Sequence, residues 1–255
     1  MLLEQRLEFI ESLPPFPPIA MPRTFTDFGE YTPPHDTNKP TASVMPETIN
    51  AFLPGVPKQT IDDVNLCKMV AQRNASHHFP EESQLFQWYK EYVKTLTSFG
   101  WIIQDKDIQE VAIRGVGLTM DQVAFDIASR LMSPKAADVL AKVSKQAVDT
   151  VQQSPKATQI FNIGAKLGAQ AKFDLAPVWV DNYGQANMVL NCISLDARES
   201  TRGILFWKST KQSTTIKTGA VRCYLDNNAF SGVRAKLLSR YTDATNKYID
   251  NLPDF

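Results

Sequence analysis

The sequence predicts an α/β protein of the α+β type, an antiparallel β-sheet flanked by helical layers behind an extended, proline-rich N-terminal arm. Three observations predict it. Eleven of the 16 prolines fall in the first 57 residues. Apolar residues then recur at helical spacing, and from about Leu175 onward the apolar period drops to two.

Proline donates no amide hydrogen and restricts the residue before it. Residues 1–57, with Pro14-Pro15-Phe16-Pro17-Pro18 and Pro33-Pro34, therefore read as an arm without regular ladders, with one helical turn near Leu3–Ile10. Phe9, Phe16, Phe25, Phe28 and Tyr31 make it too aromatic for a free tail, so it is expected to dock on its own domain or on a protein partner. Residues 58–255 read as a single domain.

That domain is expected to open with a helix capped by Thr60, with Ile61, Val64, Met69 and Val70 as its apolar face. A second helix follows Glu81-Glu82, with Leu85, Trp88, Tyr89, Tyr92, Leu96 and Phe99 on one stripe and Gly100 as its stop. Trp101–Ile103 and Ile108–Ile113 read as two strands. Thr119 and Gln122 form a capping box for a third helix. Ser133-Pro134 and Ser154-Pro155 each place an N-cap serine before a first-turn proline. Behind the first lie Val139, Leu140, Val143, Ala147 and Val151; behind the second, Ile160, Ile163, Leu167 and Ala171. Four strands follow, at Ala176–Val180, Met188–Leu195, Ile204–Ser209 and Thr214–Leu225, joined by short turns that favour a meander. A last helix starts near Ser231.

Composition narrows the function. With 27 basic and 27 acidic residues the net charge is zero, which argues against nucleic acid as the main partner. Glu4, Arg6 and Glu8 interrupt the N-terminal apolar residues, so no secretory signal is read there. The chain is expected to be made in the cytoplasm and released, if at all, by a specialised route.

Catalytic and metal motifs are missing from the sequence, and no enzyme activity, metal or cofactor is expected. His77-His78 has no cysteine or aspartate at ligand spacing nearby. Asp196 and Glu199 beside Arg198 and Arg202 read as a solvated turn rather than an acid–base pair. Gly164 and Gly168 read as helix-packing positions, and Gly115-Val116-Gly117 is too short for a phosphate loop. Cys192 and Cys223 lie on strands and can pair, carry an acyl chain or fill the core, the last being the default.

Phe99-Gly100-Trp101-Ile102-Ile103, Met188-Val189-Leu190-Asn191-Cys192, and the segment from Ile204-Leu205-Phe206-Trp207 through Val221-Arg222-Cys223-Tyr224-Leu225 stand in an order that resembles the cytolytic δ-endotoxin (Cyt-type) fold. The resemblance spans about residues 60–230 and lies in element order and apolar runs; the arm has no counterpart in it. It implies a protein that meets a lipid membrane, rearranges and perturbs or perforates it, with oligomers forming on the membrane. Trp179, Trp207 and Tyr224 suit a membrane-contacting role, as they also suit an ordinary core. The rival expectation is an effector or assembly component that recruits a protein through its arm.

Overall fold

The computed structural model describes residues 1–15, 36–114, 117–131, 134–162, 170–196, 208, 213–245 and 250–251. Its helices are α1 (Leu3–Ser12), α2 (Lys58–His78), α3 (Leu85–Ser98), α4 (Met120–Ser129), α5 (Pro134–Gln153), α6 (Pro155–Phe161) and α7 (Asn227–Thr245). Its strands are β1 (Thr41–Met45), β2 (Thr48–Phe52), β3 (Trp101–Arg114), β4 (Gln170–Val180), β5 (Ala186–Asp196), β6 (Ser213–Leu225) and β7 (Asp250–Asn251). The strands form one sheet in the order β3-β6-β5-β4-β2-β1-β7.

Helices cover both faces of this sheet. On one face α1, α2, α3 and α7 pack over Met45, Phe52, Val178, Leu190, Val221 and Cys223. On the other, α4, α5 and α6 pack over Val44, Ile49, Phe173, Leu175, Val189 and Ile193. The expected α/β class and the flanking helical layers are present. The sheet is mixed rather than wholly antiparallel, because β2 runs parallel to β4 from Thr48↔Asp174 to Phe52↔Val178. A strand contributed from the N-terminal region can take either direction, whereas the short link at residues 181–185 makes β4 and β5 antiparallel, and β6 is antiparallel to β5 across the longer connection 197–212.

The N-terminal region is the main correction. Residues 1–57 are not an arm without ladders: β1 and β2 pair as a hairpin and occupy the sheet. The prolines permit this because they flank the strands. Pro40 precedes β1, Pro46 sits in the turn, and Pro54 and Pro57 follow β2, so no ladder amide is lost. The expected helical turn is the ten-residue α1. It is docked on the domain: Ile10 and Leu13 are buried, and the Arg240 guanidinium donates to the carbonyls of Glu11 and Leu13. Arg6 donates to the carbonyls of Thr97 and Ser98 at 2.9 and 3.0 Å. Phe16, Phe25, Phe28 and Tyr31 lie outside the described residues.

Several boundaries also move. Helix α2 begins after Pro57, so Thr60 lies in its first turn rather than at its cap, and His77-His78 form its last turn rather than a loop. Trp101–Ile103 and Ile108–Ile113 belong to one strand, β3, with a register shift between Ile103 and Asp105. An edge strand tolerates Asp105-Lys106-Asp107 and a bulge that a central strand would not. Val139 is exposed, and Val148 joins Leu140, Val143, Ala147 and Val151 in the buried stripe of α5. Strand β4 begins at Gln170, which places Ala171 in the sheet rather than on a helix. Helix α7 starts earlier than Ser231 because Asp226 caps it, accepting from the amides of Asn228 and Ala229 at 3.0 and 3.2 Å.

The expected stops and caps hold elsewhere. Gly100 ends the α3 segment at φ +112°, and a side chain there would meet the Phe230 amide nitrogen at 3.1 Å. Thr119 caps α4 and Ser154 caps α6. Ser133, Gly115, Val116, Gly164, Gly168 and the expected strand at Ile204–Ser209, apart from Lys208, lie outside the described residues. Lys208 forms an antiparallel bridge with Thr119.

Candidate functional site

Two arrangements stand out, one at the end of the sheet and one in its interior. The first is a cross-strand row. Ile102 of β3 lies opposite Tyr224 of β6, Tyr224 opposite Asn187 of β5, and Asn187 opposite Trp179 of β4. Residues directly opposite in a sheet share a face. The register therefore brings together Trp179 and Tyr224, two of the three aromatic residues singled out in the sequence; Trp207 lies outside the described residues. The Arg222 guanidinium adds a cation 6.0 Å from the Trp179 ring centroid. Trp179 and Tyr224 are half-buried.

The β4–β5 turn caps this row. Asp181 accepts from the amides of Tyr183 and Gln185 at 2.9 and 3.0 Å and from the Asn187 side chain at 3.1 Å. Desolvation pushes its carboxyl upward, but these donors outweigh it and hold the pKa below the ordinary aspartate value. The carboxylate faces its own turn, Gly184 takes φ +77°, and Tyr183 is left at the apex.

The second arrangement is a polar seam between α2 and the sheet. Asn65, Lys68 and Gln72, spaced by three and four, share one face of α2. Asn65 accepts from Ser43 at 2.6 Å and from Asn50 at 2.8 Å. Lys68 donates to Asn50 and pairs with Asp174 at 2.8 Å, and Asp174 also accepts from the Asn191 amide at 2.9 Å. Gln72 donates to the Thr48 hydroxyl at 2.6 Å. Burial pulls the Lys68 pKa below the ordinary lysine value, and Asp174 opposes that pull. With Lys68 at 0% exposure and Asn50 at 0%, the seam is closed to a substrate, and its chemistry is that of a tether between layers.

In the sequence the stripe Asn65-Lys68-Gln72 reads as the solvated face of an amphipathic helix, so no local pattern marks the seam.

The remaining candidates do not converge. His77 and His78 are exposed at the end of α2. Among the described residues no group of three or more His, Cys, Asp or Glu could hold a metal. Asp196 ends β5, while Arg198, Glu199 and Arg202 lie outside the described residues. Cys223 is a free thiol filling the core beneath α2, with its pKa raised by burial. It lies opposite Met188, whereas Cys192 lies opposite Gly219. That separates the two backbones by about 14 Å, beyond the ~7 Å reach of a disulfide. Gly219 has its own reason to be glycine: a Cβ there would come within 2.6 Å of the Tyr89 ring.

No family model matches the chain, and no curated protein matches it in sequence. Among solved structures, the Evf virulence factor is similar over 80% of this chain and 84% of its own, at 9% identity and a TM-score of 0.39. A delta-endotoxin is similar over 82% of this chain and 90% of its own, at 11% identity and a TM-score of 0.37. Likeness of that size assigns no residue of this chain a role.

Proposed function

We propose that this chain is a non-enzymatic, toxin- or virulence-factor-like protein that binds lipid membranes and perturbs them, forming oligomeric pores through its strands. One observation carries the reading. Four strands adjacent in the sheet, β3, β6, β5 and β4, run 14, 13, 11 and 11 residues, each antiparallel to its neighbour. A tilted strand crosses the hydrocarbon core in about 9–11 residues. The five-residue β1 and β2 fall short of that length. The long strands also carry the Trp179–Tyr224 row at one end, and such rings favour the membrane–water boundary.

In the folded chain helices cover both faces of the sheet. In a membrane one face would meet lipid and the other the lumen or a neighbouring copy, once the helices had moved aside. The rival expectation, a protein recruited through the arm, loses α1 to the chain's own domain, because Arg6, Arg240 and Ile10 hold it there.

Environment-sensitive labels test the reading. In a background with Cys67, Cys192 and Cys223 replaced, single cysteines are placed in turn at Met188, Val189, Leu190 and Asn191 of β5. On addition of liposomes, labels of one parity should become quenchable by brominated lipid and those of the other by aqueous iodide. Labels that stay shielded from both quenchers would count against membrane entry by β5.

A further inference from the structure

Resting on that reading, we infer that the lipid bilayer is first met by one end of the folded molecule, formed by Leu2 and Leu3 at the start of α1, Ile102 at the start of β3 and Tyr183 in the β4–β5 turn. These side chains are 70%, 49%, 39% and 89% exposed. Among the described residues the other large exposed apolar side chains are Met1, beside them in sequence, and Val139 on α5, at 50%.

The four residues come from three segments far apart in sequence, and the start of α7 gathers them. The Asp226 amide donates to the Gly100 carbonyl at 3.0 Å, two residues before Ile102. The Asn227 side chain donates to the Gly184 carbonyl at 3.3 Å, next to Tyr183. A Cβ on Gly232 would meet Leu3 Cδ1 at 2.7 Å. From Asp226 to Gly232 the chain advances about 9 Å, so the apolar tips share one end of the molecule.

The chemistry of this end favours lipid over protein as the occupant. Among the described residues the exposed apolar side chains here are few and come from three separate segments, whereas a stable protein interface needs roughly 1,000 Å² or more in good fit. A fluid surface needs no matching shape. The charges nearby are largely committed within the fold: Asp181 to its own turn, Asp226 to the α7 cap, and Arg6 to the last two carbonyls of α3. Exposed Glu4 adds no attraction to anionic lipid. The contact is therefore apolar in origin, and it extends to neutral phosphatidylcholine and persists at high salt.

Flotation of the full chain with phosphatidylcholine vesicles, at low and high salt, tests this. The wild-type chain should float at both salts. The double variant Leu2→Gln/Tyr183→Ser should lose about tenfold or more of its partitioning, since two exposed apolar side chains no longer leave water. Val139→Gln, with an apolar side chain removed elsewhere, should float like the wild type. All three positions are exposed, and unchanged circular dichroism and melting temperature establish that the variants are folded. A wild-type chain that floats with a double variant that floats equally well overturns this inference and leaves the membrane reading standing. Loss of flotation in Val139→Gln equal to that in the double variant also overturns it. A wild-type chain that floats with neither phosphatidylcholine nor phosphatidylglycerol vesicles overturns both.

Discussion

At the scale of single residues, Lys68 organises the interior. Its ammonium is fully buried, pairs with Asp174 and bonds to Asn50, so three elements meet on one side chain. A buried pair contributes little net stability against an apolar replacement of both partners, but removing one partner strands the other. Lys68→Met should therefore lower the unfolding free energy by about 3–5 kcal/mol, measured by urea denaturation. A loss below about 1 kcal/mol would mean that Asp174 finds other partners and that the seam is no tether. This residue was hard to weigh in the sequence, where a lysine in a mixed helix reads as solvated. Trp179 and Tyr224 were easier to single out by type, but their alignment in one row depends on the β4-β5-β6 register, which no local signal specifies.

At the scale of elements, the signals that were legible are those that act within a few residues. The α3 stripe from Leu85 to Phe99, the Gly100 stop, the Thr119 box and the Ser154 cap all stand where the sequence put them. The β1–β2 hairpin was not legible, because Pro40, Pro46, Pro54 and Pro57 read as breakers when they in fact bound the strands. Strand β3 was divided in two by Asp105-Lys106-Asp107, whose polarity reflects its place at the sheet edge. The parallel pairing of β2 with β4 joins segments more than a hundred residues apart and leaves no mark in either. Helix α1 belongs to the segment expected to dock on its own domain or on a partner, and its Ile10 is fully buried beside α7. Ile10→Ala should thus cost about 2–5 kcal/mol of stability, read from the shift in denaturation midpoint. A change within about 0.5 kcal/mol, as at an ordinary surface site, would show that α1 is dispensable to the domain.

At the scale of the whole molecule, the sheet is covered on both faces by helices, and its two halves differ. The β3-β6-β5-β4 half has long strands, each antiparallel to the next, ending in an aromatic row. The β2-β1-β7 half has short strands, and β1, β2 and the adjoining β4 are tied to α2 by polar side chains. On the proposed reading the first half enters the bilayer once the Lys68–Asp174 pair between α2 and β4 has parted, and the second stays anchored. Dye release from liposomes of equal parts phosphatidylcholine and phosphatidylglycerol, run with flotation, tests that claim most directly. The account predicts co-flotation and leakage at sub-micromolar protein. Neither leakage nor flotation, at neutral or acidic pH, would contradict it.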